Sequence, residues 1–213
     1  MRIAKGFNLL APFYTLLTRL IFGKSLEHSQ KHFLNSIKPD DRILILGGGS
    51  GTLLKDLLEL QPTVTVDYID ISIKMIELAR KKNGNPLNVT FIVGTEQSIP
   101  SITYTVVITN FYLDLFSGNS LKTIIPLIKS HLADNGQWLV TDFVSKKSWH
   151  KMMLWMMYRF FRITTGIEAK TLPGWENQLR ENGLKESEFK NFFGGFIKSI
   201  RLIPPLSSLG CAE

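Results

Sequence analysis

At 213 residues, with 44% hydrophobic and 20% charged side chains, the chain has the length and composition of one folded domain, 1–213, and not of a largely disordered polymer. A single cysteine, Cys211, excludes an internal disulfide and a cysteine-built metal cluster, and this usage fits a reducing compartment, so a cytoplasmic location is expected. The formal charge of +7 calls for an anionic partner, whether a phospholipid surface, nucleic acid or an acidic substrate.

Residues 1–36 read as a helical cap. Leu9, Leu10, Phe13, Leu16, Leu17, Leu20 and Ile21 recur at helical spacing, and Gly23 separates them from a polar helix over Ser25–Ser36. Arg2 and Lys5 precede apolar residues as in a signal peptide, but Pro12, Thr15, Thr18 and Arg19 interrupt the run and no small-residue cleavage site follows. His28 and His32 would share one helical face; with no third ligand near them in sequence they read as a solvated face, and no metal is expected.

The stretch Ile43-Leu-Ile-Leu-Gly47-Gly48-Gly49-Ser50-Gly51 runs from apolar residues into glycines, and an amphipathic segment, Thr52–Leu60, follows at once. This is a strand, a tight turn and a helix, where a nucleotide-like ligand can approach the main chain beside helix N-terminal amides. Gly47, Gly49 and Gly51 give G-x-G-x-G, whereas the dinucleotide fingerprint G-x-G-x-x-G would need glycine at Thr52. Asp70, at the tip of a second strand over Thr63–Ile69, can accept both hydroxyls of a ribose. Further strands are expected near Val89–Val93, Thr105–Asn110 and Gln137–Val144, with helices at Ile73–Asn83 and Leu121–Ala133. This alternation predicts a doubly wound, Rossmann-like parallel α/β sheet. Two strand-like runs, Gly183–Phe192 and Gly195–Leu202, are too closely joined for a parallel crossover and predict an antiparallel hairpin that completes seven strands.

The glycine loop together with Val64-Thr-Val-Asp-Tyr-Ile-Asp-Ile-Ser-Ile-Lys-Met-Ile-Glu-Leu-Ala-Arg80 resembles the first two motifs of the class I S-adenosylmethionine-dependent methyltransferases. The similarity continues through Val89–Glu96, Val106–Asn110 and Gly136–Phe143. It implies S-adenosylmethionine as cofactor, S-adenosylhomocysteine as product and the same antiparallel hairpin. The family usually carries an acid two residues before the first glycine, helping to hold the methionine amino group; here that residue is Ile45. Phe7-Asn-Leu-Leu-Ala11-Pro-Phe-Tyr14 resembles the N-terminal segment of ubiquinone and menaquinone biosynthesis methyltransferases, which makes Tyr14 a candidate active-site residue, although Thr15 stands where that family often has Asp. By the same resemblance Thr95 or Glu96 would meet the adenine, and Asn110 the methionine end. Ile71 and Met75 either pack against the ring or belong to the helix core, and Tyr112 and Asp114 follow on the substrate-facing loop.

Methyl transfer from a sulfonium needs alignment first and a base only when the acceptor must lose a proton. Asp114 and Asp142 are the carboxylates best placed by strand-end position, with Tyr14 and His150 behind them; helix capping or surface charge is the alternative for each. Between the core over 37–144 and the hairpin over 183–203, residues 145–182 form an insertion. Between Ser145 and Lys170, six basic residues (Lys146, Lys147, Lys151, Arg159, Arg162 and Lys170) stand against Glu168 alone and mingle with Trp149, Met152, Met153, Leu154, Trp155, Met156, Met157, Phe160 and Phe161. This is either a lid over an apolar substrate with contact to a membrane surface, or a helix that buries one face and snorkels its cations on the other. Nucleic acid fits such an apolar stretch poorly. The functional expectation is methyl transfer to a small or lipophilic acceptor, a quinone precursor or lipid. The alternatives are a non-catalytic nucleotide-binding protein of the same fold and, disfavoured by the glycine spacing, a nicotinamide-dependent oxidoreductase.

Overall fold

A computed structural model describes Gly6, Asn8 and residues 21–205. Tyr14 and most of the first expected helix lie outside the described residues. Seven strands form one sheet in the order β3-β2-β1-β4-β5-β7-β6: β1 is Arg42–Leu46, β2 Thr65–Asp70, β3 Val89–Val93, β4 Tyr104–Asn110, β5 Leu132–Phe143, β6 Lys185–Phe192 and β7 Ile197–Ile203. Strands β1 to β5 pair in parallel, and β7 runs antiparallel to both β5 and β6, as the doubly wound reading and its terminal hairpin require. The chain reverses between β1 and β4, which opens a crevice at the carboxyl ends of these two neighbours.

Among the residues from 21 to 205, six helices complete the layers: α1 over Ser25–Lys31, α2 over Thr52–Leu60, α3 over Ile73–Asn83, α4 over Gly118–Ser130, α5 over Ser148–Thr164 and α6 over Trp175–Glu181. The alternation of side chains along each strand divides the core. Ile43, Ile45, Val66, Tyr68, Val106 and Ile108 face α2 and α3, while Leu44, Leu46, Val107, Trp138 and Val140 face α4 and α6. A third cluster of Phe22, Leu26, Phe143, Leu154, Tyr158 and Phe196 anchors α1 and α5 over the hairpin end of the sheet.

Boundaries differ from the sequence reading where side-chain caps or bulges intervene. Helix α4 starts at Gly118 instead of Leu121 because the Ser117 hydroxyl accepts the Ser120 N–H, and it ends at Ser130, three residues before Ala133. Strand β5 begins at Leu132, ahead of Gln137, because a bulge between Tyr104 and Val106 lets Leu132 pair with Tyr104 before the main ladder. The polar N-terminal helix stops at Lys31 and continues as a short turn over Leu34–Ser36. Within 145–182, α6 belongs to the core: Trp175 is buried and its indole N–H donates to the Phe143 carbonyl at 2.9 Å. Among the described residues no helix is long and apolar enough to cross a membrane.

Candidate cofactor and acceptor site

Gly47, Gly49 and Gly51 all hold φ between 66° and 78°, the left-handed region that side chains resist. The loop is tied to β2, since the Gly47 and Gly48 N–H groups donate to the Ile69 carbonyl at 2.9 and 3.2 Å. A methyl group on Gly48 would run into the Tyr68 ring, whereas one on Gly49 would meet nothing within 4 Å. Gly49 is thus the point where the loop lies open to an incoming ligand.

Asp70 stands beside it. Its Oδ2 accepts the Gly49 N–H at 2.8 Å and its Oδ1 accepts the Ser72 N–H at 2.8 Å. Burial raises its pKa, and the two backbone donors, Ser72 and Gly49, oppose that rise. A carboxylate offers about four acceptor positions, so each oxygen retains one for a ribose hydroxyl. These groups open onto a cavity of about 280 Å³ at the carboxyl ends of the parallel strands. All the residues that the sequence assigned to the cofactor line it (Gly47, Gly48, Gly49, Ser50, Asp70, Ile71, Met75, Thr95 and Asn110) except Gly51 and Glu96.

The two exceptions have other employment. Gly51 precedes α2 and is pressed against Ala79 and Asn83 of α3. The Glu96 carboxylate accepts the Tyr112 hydroxyl at 2.8 Å, leaving Thr95 as the lining residue after Gly94. Asn110 ends β4, and its buried side-chain nitrogen has no hydrogen-bond partner among the described residues, a donor suited to the carboxylate of an amino-acid moiety. With the open side of Gly49, the spare acceptors of Asp70 and this donor, the residues fit S-adenosylmethionine. When bound there, that cofactor supplies an activated methyl group.

The cavity has further walls that the motifs did not indicate. Helix α1 contributes Leu26, Glu27 and Gln30, while Phe111, Leu115, Phe116 and Ile167 supply an apolar surface. Glu27 and Glu168 bring carboxylates to a cavity where Ile45 offers none. Periodicity marked α1 as a helix, but its approach to the glycine loop depends on Leu26 docking in the third cluster, a contact across the fold.

The candidate bases are placed elsewhere. Asp114 and Asp142 are buried together, and neither lines the cavity. Asp142 Oδ2 accepts the N–H groups of Leu113 and Asp114 at 3.1 and 3.2 Å, and its Oδ1 accepts that of Phe143 at 2.8 Å. They hold the turn after β4 against β5. His150 is also buried; its Nδ1 accepts the Lys146 and Lys147 N–H groups at 3.1 and 3.4 Å, which caps α5. Burial, then the Lys147 charge, lowers its pKa.

Burial pushes Asp114 up to about 7, and burial with the Asp114 charge raises Asp142 as well. In the unfolded chain the same carboxyl ionises near its ordinary value of 3.8. As pH rises from about 4 to 7 the unfolded chain therefore loses its proton first, and this pair costs the fold increasing stability across that window. Asp114→Asn should flatten this slope and raise stability at pH 8 by about 1–3 kcal/mol relative to its effect at pH 5. Thermal melts of both proteins across the range check this; parallel profiles would show that the pair does not titrate as described.

A family model described as a methyltransferase domain matches residues 43–136. The chain is 33% identical over 106 residues to a malonyl-[acyl-carrier protein] O-methyltransferase from Halalkalibacterium halodurans, covering 47% of this chain and 38% of that protein. It is also 33% identical over 79 residues to malonyl-[acyl-carrier protein] O-methyltransferase 1 of Ilyobacter polytropus, covering 37% of this chain and 30% of that one. The chain thus spans well under half the length of these curated relatives. Among solved structures, an O-methyltransferase family protein from Burkholderia thailandensis superposes with a TM-score of 0.71 at 14% identity, covering 93% of this chain and 59% of that one. The N-methyltransferase NodS of Bradyrhizobium japonicum, solved with S-adenosyl-L-homocysteine, does so with a TM-score of 0.64 at 17% identity, covering 84% and 86%. The sheet order and the glycine turn beside Asp70 agree with the match over 43–136: this segment is similar to a methyltransferase domain, and the chain has the fold of the solved methyltransferases it superposes on.

Proposed function

We propose that the protein transfers a methyl group from S-adenosylmethionine to a small or lipophilic acceptor. The observation that carries this reading is the double character of one cavity. Asp70 and the open side of Gly49 line it, and Phe111, Leu115, Phe116 and Ile167 give it an apolar wall. Asp70 would hold the ribose, Thr95 and Met75 would flank the adenine, and Asn110 would meet the methionine carboxylate.

The apolar wall itself carries no group that accepts a proton; besides Asp70, the carboxylates of the cavity are Glu27 and Glu168. The wall suits an acceptor oxygen already ionised near neutral pH, such as a carboxylate or an acidic phenol, for which positioning and exclusion of water suffice. The curated relatives are named for O-methylation of malonyl-acyl-carrier protein, an acceptor of this ionised kind. The partial coverage of their length leaves the acceptor of this chain to experiment. Incubation with methyl-labelled S-adenosylmethionine and a panel of carboxylic acids, phenolic quinone precursors and extracted lipids is expected to move label into an organic-soluble product, with S-adenosylhomocysteine released in equal amount. Cofactor binding without turnover on any of these classes would favour the alternative of a non-catalytic binding protein. That alternative draws its support from Ile45 standing where the family's acid usually is.

A further inference from the structure

Helix α5 is apolar on both faces. Its inner stripe, Leu154 and Tyr158 with half-buried Met153, Met157 and Phe161, packs into the third core cluster. Its outer stripe of Trp149, Met152, Trp155, Met156, Phe160 and Ile163 stays exposed, with Trp155 65%, Met152 62% and Ile163 72% accessible. An amphipathic helix would put polar groups there. Other exposed apolar side chains, such as Leu60, Leu87 and Val93, are scattered over the surface, whereas these six follow one another along a helix about 25 Å long.

The charges around the stripe are of one sign but for Glu168, whose carboxylate accepts the Ser120 hydroxyl. Helix α5 contains no acidic residue; Lys151, Arg159 and Arg162 are exposed on it, and Lys146, Lys147 and Lys170 flank it. None of the six is in an ion pair among the described residues. A second copy of the chain meeting this face symmetrically would bring both sets of cations together. An anionic phospholipid surface answers both features, since the cations meet headgroups while the apolar stripe enters the upper acyl region to a depth of about 5–10 Å.

We propose that the outer face of α5 docks the protein peripherally on anionic phospholipid membranes. Ile167 and Glu168, just beyond the end of α5, line the cavity, so docking brings the apolar wall of the site close to the bilayer and lets a lipophilic acceptor pass from membrane to cavity. The methyl-transfer reading underlies only this last purpose; the docking itself rests on the helix.

The test is co-sedimentation of the full chain with vesicles of mixed phosphatidylglycerol and phosphatidylcholine, and with phosphatidylcholine alone. Binding to the anionic vesicles is expected, weakening as salt is raised, together with a blue shift in tryptophan emission. Trp138 and Trp175 are buried, so a shift reports Trp149 and Trp155. The double variant Trp155→Glu, Ile163→Glu should bind at least tenfold more weakly, and neutralising Lys151 or Arg159 should cost about fivefold for each charge. S-adenosylmethionine titration without vesicles, run on the same variants, shows whether the fold and cofactor site are intact. Loss of cofactor binding in the unaltered chain alongside retained vesicle binding would overturn the methyl-transfer reading and leave docking supported. Absence of vesicle binding at low salt, or equal binding by the double variant, overturns the docking proposal. So does a concentration-dependent dimer that the same variants abolish without any vesicle association.

Discussion

Asp70→Ala is expected to weaken S-adenosylmethionine binding by on the order of a hundredfold, because it removes the acceptors available to both ribose hydroxyls, and charge-assisted hydrogen bonds contribute about 1.5–3 kcal/mol each. The substitution also acts on the empty protein. The N–H groups of Gly49 and Ser72, which now donate to the carboxylate at 2.8 Å, would be left without it, at about 1–3 kcal/mol apiece where water cannot replace it. Asp70→Asn separates the two effects. Its amide oxygen keeps one backbone donor, so stability should recover in part while affinity stays low, because an NH₂ group cannot accept from a ribose hydroxyl. Titration calorimetry beside thermal denaturation reads both; unchanged affinity in the alanine variant would remove Asp70 from the site.

The second large effect is expected at Gly48. A Cβ there would lie 2.5 Å from both Cε atoms of Tyr68 and closer still to Cζ. The ring cannot readily yield: Tyr68 is completely buried, packs edge-on to Phe91 with centroids 5.4 Å apart, and donates its hydroxyl to the Gly49 carbonyl at 3.0 Å. Gly48→Ala should therefore destabilise the fold by about 1–3 kcal/mol, which is about 2–4 °C in melting temperature per kcal/mol for a chain of this size. It should also displace the loop that carries Gly49. Gly49→Ala provides the contrast. Its Cβ meets open space, so the stability cost is confined to holding alanine at φ 66°, roughly 1–2 kcal/mol, yet the residue lines the cavity proposed for the cofactor. Cofactor affinity should fall in both variants, through loop displacement in one and steric obstruction in the other.

Much of this arrangement was legible in the sequence because local signals carried it. Alternate glycines after an apolar run located the turn, and the periodic segments over Thr52–Leu60 and Ile73–Asn83 match helices α2 and α3 in both boundaries. What sequence could not resolve depends on how side chains meet across the fold. The family resemblance pointed to Glu96 and strand-end position to Asp142 as open carboxylates, but Tyr112 reaches back to occupy one, and the turn after β4 folds its backbone donors onto the other. Glu27 and Gln30 belong to no motif and reach the cavity because α1 is pinned by Leu26. The basic and apolar mixture over residues 146–170 was visible as composition; that the inner stripe alone is buried follows only from the packing of α5 on Phe143 and Phe196.

Isothermal titration of the purified protein with S-adenosylmethionine and S-adenosylhomocysteine, with NAD as control ligand, tests the central claim most directly. Saturable binding of both sulfur nucleotides at one site per chain and none of NAD is the predicted result. A folded sample free of carried-over ligand that binds neither sulfur nucleotide, or that binds NAD instead, would contradict it.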